Sequence, residues 1–384
     1  MRKQTKTLVR ITTVPLSLDK LLTGQLKFMH DNGFDVYMIS SPDKNISLIE
    51  RRESAKFLGV KMSRKISPFQ DMISLIKIVF ILYKLKPGIV HTHTPKAGLL
   101  GMLASWMTNI PVRLHTVAGL PLMEAKGFKR MVLNFTEKLT YRFATKVYCN
   151  SNNLLEYIID KKFIDPQKIR VIGNGSSNGI DTSYFKISEK ILNESEDLKK
   201  EFAVTNENFV FIYVGRLVKD KGIEELVHAF LNINSSHPNT KLLLVGPLEP
   251  LRDPLSLECL DKINSCASII STGFKDDIHP WLAMSSVLVF PSYREGFPNV
   301  PMQAGCFDLP CIVTDINGCN EIIQDEINGL IIPVKNIEAL THAMQRILMD
   351  KKLFLKLKLH SREMIIQRFD QKHFWSLLLK EYAP

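Results

Sequence analysis

The chain has 384 residues, 45% hydrophobic and 23% charged, with 50 Lys and Arg against 39 Asp and Glu for a net charge of +11. These proportions exclude a disordered, collagen-like or fibrous chain and leave a globular protein long enough for two or three cores. The basic balance favours phosphates, nucleic acid or an anionic membrane without choosing among them. The six cysteines, with no C-x-x-C pair, read as buried reduced thiols in a cytosolic protein rather than as zinc ligands or a disulfide framework.

In chain order, Leu8–Thr13 reads as a buried strand, Asp19–Asn32 as a helix ended by Gly33, and Asp35–Ser40 as a second strand. A helix over Pro68–Leu85, a strand at Gly88–His93, a helix at Ala97–Trp106, a strand at Val112–Thr116, a helix at Lys129–Arg142 and strands at Lys146–Asn150 and Ile169–Ile172 follow. Turn formers at Gly173–Gly179 and a charged stretch over Glu189–Asn208 mark a boundary. The alternation then restarts with strand Phe209–Val214, helix Gly222–Asn232, strands Lys241–Val245 and Ile269–Thr272, helix Ile278–Ser285, strand Val287–Phe290 and helix Pro301–Cys306. Strands Pro310–Thr314 and Gly329–Ile332, helix Ile337–Met349 and an amphipathic tail at Asp370–Tyr382 complete the chain. Apolar strands alternating with helices indicate parallel sheets covered on both faces, here two α/β halves facing a cleft, with ligands beyond the carboxyl ends of the strands.

No secretory signal and no membrane span is read. The apolar segment Met72–Tyr83 is short and interrupted by Ser74 and Lys77. It suits either a buried amphipathic helix or one lying on a membrane surface.

Two segments after strands carry candidate chemistry. In VGRLVKDKG, Gly215 allows a tight turn, and Arg216 and Lys221 stand at the mouth of a helix, where two cations suit a diphosphate; otherwise they are solvated surface charges. In FPSYREGFPNVPMQAG, the Glu295 carboxylate suits sugar hydroxyls, and the amides of Gly296, Phe297 and Asn299 suit phosphate or sugar oxygens. Gln303 follows Glu295 by eight residues, so that both can border one pocket; the alternative for Glu295 is a helix-capping carboxylate.

The ordered set GR-x4-KG, then PS-x2-EGFP-x4-QAG, together with HTHTPKAG (His91–Gly98), GNGSSNGID (Gly173–Asp181), TGF (Thr272–Phe274) and TDINGCNEII (Thr314–Ile323), resembles the retaining glycosyltransferases of family GT4 over nearly the whole chain. The resemblance implies the GT-B fold, with an N-terminal acceptor-binding domain at 1–190, a donor-binding domain at 191–368 and a C-terminal helix at 369–384 returning to the first domain. It implies transfer, with retention, from a nucleotide sugar (UDP being the commonest carrier among relatives) to a saccharide or a polyprenyl-diphosphate-linked acceptor, in capsule or lipopolysaccharide assembly. Arg216 and Lys221 match the pair that neutralises the leaving diphosphate, Glu295 the acid on the transferred sugar, and Gln303 the position of a second acid on the ribose. Phe274 and Gly215 fall in donor-binding segments. Where many relatives carry a histidine, this chain has Ala118; His115 is the nearby candidate catalytic imidazole, and His93 a candidate cleft residue. The N-terminal phosphate loop reads VPLSLDK without glycine, which leaves the amides near Ser17 for the diphosphate. Gly24 is placed inside the following helix, where it permits close packing.

No metal or other cofactor is expected, since the chain lacks an Asp-x-Asp site and clustered His/Cys ligands. No nucleic acid is expected, for want of a zinc-finger or aromatic RNA-binding motif. The basic group Arg51, Arg52, Lys56, Lys61, Arg64 and Lys65, with Lys126, Lys129 and Arg130 after apolar Leu120–Met123, suits peripheral contact with the anionic inner face of the membrane; the alternative is a solvated basic surface. The competing readings are a catalytically weak nucleotide-sugar-binding subunit, given Ala118 and Gln303, and a UDP-sugar epimerase, which needs its acid and base groups in a different order.

Overall fold

The computed structural model describes residues 6–44, 46–63, 67–120, 125–251 and 253–382; Arg64, Lys65 and residues 121–123 of the apolar run lie outside them. The chain divides into two compact units, residues 1–179 with 371–384, and residues 180–370.

The first unit is built on seven strands: β1 (Thr7–Ile11), β2 (Asp35–Ser40), β3 (Lys56–Gly59), β4 (Ile89–His93), β5 (Val112–Val117), β6 (Lys146–Cys149) and β7 (Ile169–Val171). They form one parallel sheet in the order β3-β2-β1-β4-β5-β6-β7, so the winding reverses between β1 and β4. Its helices are α1 (Pro15–Leu21), α2 (Gln25–Asp31), α3 (Ile46–Glu53), α4 (Pro68–Leu85), α5 (Pro95–Met107), α6 (Gly127–Phe143) and α7 (Asn152–Asp160). Val9, Ile11, Val90 and Val117 share one core with Ile78 and Leu82 of α4, Leu100 of α5 and Tyr141 of α6. Leu8, Val36, Met38 and Leu114, which point the other way by strand alternation, share a second core with Leu18, Leu22, Leu26 and Met29. Phe374, Trp375, Leu378 and Tyr382 of the C-terminal helix complete that second core.

The second unit holds β8 (Phe209–Val214), β9 (Thr240–Val245), β10 (Ile269–Gly273), β11 (Val287–Phe290), β12 (Cys311–Thr314) and β13 (Gly329–Ile332), parallel in the order β10-β9-β8-β11-β12-β13. Around them lie α8 (Glu189–Glu201), α9 (Ile223–Asn234), α10 (Leu257–Ser265), α11 (His279–Ala283), α12 (Asn299–Gly305), α13 (Cys319–Ile322), α14 (Ile337–Met349) and α15 (Lys351–Phe369); α16 (Gln371–Tyr382) belongs to the first unit. All six cysteines are free and five are buried. Burial pushes the Cys259 thiol up to about 11 and Cys306 up to about 12, so both stay protonated and inert.

Three expectations change. The helix read over Asp19–Asn32 is two helices, broken at Gly24, whose φ of +77° is left-handed. A Cβ at Gly24 would lie 2.7 Å from the Trp375 ring, so the glycine provides both the break and the close approach. The charged stretch read as a linker is helix α8. Ser188 caps it by accepting from the Ile191 amide, and only Ile191 and Leu198 within it pack on the core, so its inward stripe is too thin to stand out in sequence. The unit boundary accordingly falls between Gly179 and Ile180 rather than at 190.

Candidate functional site

The carboxyl edge of the second sheet gathers the predicted residues of VGRLVKDKG and FPSYREGFP. Gly215 follows β8 with φ +150°, and a Cβ there would meet the Tyr213 hydroxyl at 2.6 Å. That hydroxyl donates to the Arg216 carbonyl at 3.1 Å, holding the turn from beneath. Lys221 ends a single 3-10 turn, and Gly222 (φ +69°) starts α9. A Cβ at Gly222 would lie 2.2 Å from the Pro291 carbonyl oxygen, so the lysine loop is pressed against the loop after β11.

That contact joins the lysine and the acid. Lys221 Nζ lies 2.5 Å from Glu295 Oε1, both side chains being largely buried at 14% and 18% exposure. Ser292 Oγ is 3.1 Å from the same carboxylate oxygen and 3.4 Å from Lys221 Nζ. Thr314 donates to the Ser292 carbonyl, and Asn317 Nδ2 donates to the carbonyls of Glu295 and Gly296. Gly318 (φ +77°) lets this loop approach; a Cβ there would lie 2.8 Å from the Gly296 oxygen. Below the acid, Tyr293 N–H donates to the Asp220 carbonyl at 2.9 Å and Arg294 pairs with the Asp220 carboxylate at 2.9 Å. Arg216 is placed separately, with Nη1 2.9 Å from Glu249 Oε2.

The other donor candidates lie on the same unit. Phe274 follows β10 and is exposed, and Gly246 N–H donates to the Gly273 carbonyl at 3.0 Å. Phe297 turns its ring inward against Phe369, so its amide rather than its side chain is available to a ligand. Asn299 is exposed at the start of α12 and Gln303 half-buried within it; no hydrogen bond joins Gln303 to Glu295 among the described residues. Ser292, Thr314, Asn317 and Glu249 went unassigned in sequence, although the first three lie in segments already quoted. For the first three the signal was position: Ser292 and Asn317 lie just beyond the ends of β11 and β12, and Thr314 is the last residue of β12.

In the first unit the histidines behave differently. The structure places His115, the candidate catalytic imidazole, in the core. It is 2% exposed, its Nδ1 is 2.8 Å from Thr92 Oγ1, and its ring fills the space against Gly98 of α5, where a Cβ would lie 2.5 Å away. Burial lowers its pKa to about 3, so it stays neutral. His91 is buried too. Its Nδ1 accepts from Arg10, which leaves Nε2 to donate to Thr116 Oγ1 at 2.7 Å, and Tyr382 of α16 lies beside it. Arg10, wholly buried, also donates to Tyr382 and Gln25 and has no carboxylate partner among the described residues. His93, stacked on His91 with ring centroids 4.8 Å apart, has no hydrogen-bond partner among the described residues at either ring nitrogen. Like His115 it is only 2% exposed, and burial lowers its pKa, so it too sits in the interior as a neutral imidazole. The Ser17 amide donates to Val14 within the first turn of α1 and is not free for a phosphate.

Two parallel doubly wound sheets, with cations and an acid at the carboxyl edge of the second, describe a nucleotide-sugar transferase of the GT-B class. The fold matches Anabaena Alr3699/HepE, solved in complex with UDP, with a TM-score of 0.81 over 98% of each chain at 18% identity. Residues 23–183 match the family described as Glycosyltransferase Family 4, and residues 194–364 the one described as Glycosyl transferases group 1. The capsular polysaccharide biosynthesis glycosyltransferase CapM of Staphylococcus aureus is 34% identical over 97% of this chain and 95% of its own. The UDP-Gal:alpha-D-GlcNAc-diphosphoundecaprenol alpha-1,3-galactosyltransferase of Escherichia coli is 28% identical over 96% of this chain and 95% of its own. The chain belongs to the family 4 glycosyltransferases and is an enzyme of sugar transfer.

Proposed function

We propose that the chain moves a sugar from a nucleoside-diphosphate sugar, a UDP-sugar first among them, to a saccharide on a polyprenyl-diphosphate carrier, with retention, in surface polysaccharide assembly. The observation that carries the reading is the Lys221–Glu295–Ser292 cluster, with Arg216 on the same loop as Lys221. The names of the relatives from S. aureus and E. coli support the acceptor class and the UDP carrier.

Breaking the sugar–phosphate bond leaves an oxocarbenium-like sugar and a diphosphate that gains charge. Arg216 and Lys221 meet that charge more strongly in the transition state than in the ground state, and so lower the barrier. Glu295 takes the hydroxyls of the transferred sugar. With His115 sealed in the core, the leaving phosphate accepts the acceptor's proton on the face where attack occurs. The two cations supply the charge that a metal supplies elsewhere, so the reaction is proposed to run without one.

The acceptor brings the enzyme to a membrane. Among the described residues no helix is long and apolar enough to span one. α4 instead exposes Phe69, Met72, Ile76, Phe80 and Tyr83 at helical spacing beside Lys77 and Lys84, with Phe69 82% exposed. α6 exposes Phe128, Met131 and Phe135 beside Lys126 and Lys129. Apolar stripes flanked by lysine suit an anionic bilayer surface. Of the basic group read from sequence, Arg52 is already paired with Asp19 and Glu53, and Lys56 with Asp35, whereas Lys126 and Lys129 flank the exposed apolar face of α6 and contribute to the proposed contact.

The test is nucleotide release from a panel of UDP-, GDP- and dTDP-sugars with lipid-diphosphate saccharide acceptors, with and without chelator, for wild type, Glu295→Ala and Arg216→Ala. Release from one donor, lost in both variants and indifferent to chelator, is expected. Unchanged release in both variants overturns the site. For the membrane contact, flotation with anionic vesicles is expected to carry the wild type and not Phe69→Glu/Ile76→Glu/Phe80→Glu.

A further inference from the structure

The loop after β9 is tied along the Arg216–Lys221 loop. Leu217 N–H donates to the Pro247 carbonyl at 2.9 Å, Lys219 N–H to the Asp253 carbonyl at 3.1 Å, and Asp220 N–H to the Asp253 carboxylate at 2.7 Å. Leu217 and Leu248 form an isolated parallel bridge. The approach depends on Gly246 (φ +152°), where a Cβ would overlap the Gly215 carbonyl at 1.8 Å. This lacing presents Glu249, two residues past Pro247, to the guanidinium of Arg216 at 2.9 Å.

Both cations of the proposed diphosphate site therefore hold a carboxylate: Lys221 holds Glu295 and Arg216 holds Glu249. The two pairs differ in setting. The first is largely buried, whereas the second is open to solvent at 43% and 32% side-chain exposure and is weak enough to exchange. Glu295 has a task on the sugar; Glu249 has none in the reaction as derived.

We propose that Glu249 is a built-in competitor for Arg216: its carboxylate holds the guanidinium in the empty site, gives it up to the donor diphosphate, and takes it back as the nucleoside diphosphate departs. This rests on the reading of Arg216 as a diphosphate ligand. Glu249 is thus a positioning residue that acts through Arg216 and sets how long the product stays. A displaced carboxylate beside a bound diphosphate also repels it, in the same direction.

UDP binding by titration calorimetry tests the idea, with UDP product inhibition measured alongside, for wild type, Glu249→Gln, Arg216→Ala and the double variant. Glu249→Gln is expected to bind UDP about two- to fivefold more tightly, the range of a half-exposed ion pair. Its inhibition constant for UDP should fall in parallel, and the gain should vanish in the Arg216→Ala background. Equal or weaker UDP binding by a folded Glu249→Gln overturns the proposal, as does a gain that survives loss of Arg216. If Arg216→Ala binds UDP as well as the wild type does, the assignment of the diphosphate site itself fails, and the proposal with it.

Discussion

The two sheets of this enzyme treat a buried or half-buried cation in opposite ways. At the carboxyl edge of the second sheet, Lys221 and Arg216 are each paired with a carboxylate on a neighbouring loop. In the first unit, Arg10 is wholly buried and held by an imidazole, a phenol and an amide, with no carboxylate among the described residues. Groups that can swap one anion for another suit a site that binds and releases a diphosphate. A cation locked among neutral acceptors cannot exchange without unfolding its surroundings, so its role is architectural: through Tyr382 it fixes the C-terminal helix to the sheet. Burying such a charge without a counter-ion is costly unless every donor is used, and Arg10 Nε has no partner among the described residues.

The largest test of this contrast is at the edge. Lys221→Ala removes the cation proposed to meet the leaving diphosphate and is expected to lower kcat by about 10²–10³-fold. Because it also leaves the largely buried Glu295 carboxylate without its counter-ion, the melting temperature should fall as well, and kcat is compared on the folded variant. Because Lys221 and Glu295 form one pair, the double variant Lys221→Ala/Glu295→Ala should fall well short of the product of the two single losses. Full multiplicativity in steady-state kinetics would show that the pair does not act as a unit.

Next comes a buried group of the first unit that titrates. Burial raises the pKa of Glu137, on α6, to about 7. The unfolded chain gives up this proton near 4.5, so stability falls as pH rises from about 4.5 to about 7 and is level beyond. Glu137→Gln lacks this slope. Its advantage over the wild type in denaturant unfolding should therefore grow by about 3 kcal/mol across that window. His115 pulls the other way, losing stability as pH falls below 6.5 towards about 3, but equally in both proteins, so the difference isolates Glu137. A constant gap would mean that the carboxyl is not held protonated by the fold.

A smaller loss is expected at the clasp. Tyr382→Phe keeps the ring against Phe34 and His91 but removes the hydroxyl that Arg10 contacts. The expected cost is about 1–3 kcal/mol of stability with kcat unchanged once folded. A fall in kcat without loss of stability would place Arg10 in the chemistry and erase the contrast.

The fold was legible because its strands are continuous apolar runs such as Phe209–Val214 and Ile89–Val90, which only a sheet covered on both faces buries. α8 was not, since a helix that commits two large residues to the core looks like a charged linker. Of the site, Arg216, Lys221 and Glu295 could be read from motifs that place them after strands. Glu249 could not, because its partner is set by loop lacing through Gly246 that no spacing reveals. His115 misled for a related reason: strand alternation decides whether a histidine faces the core, and the register that turns it towards Gly98 depends on how β5 pairs with β4.

The least effect is expected from Gln303→Glu, which puts a charge where this chain carries an amide. Gln303 lies half-buried on α12 of the unit that holds both cation–carboxylate pairs. If it serves the donor's ribose, as the family resemblance implies, it contacts a part of the donor that does not change during transfer. Its interaction is then equal in ground and transition states, and altering it moves KM rather than kcat. A carboxylate hydrogen-bonds a hydroxyl more strongly than an amide does, by about 1 kcal/mol, so KM for the donor should fall no more than about fivefold, with kcat held. A hundredfold change in kcat would instead bring Gln303 to the reacting atoms, and the neutral side chain at this position would then belong with Lys221 and Glu295 rather than apart from them.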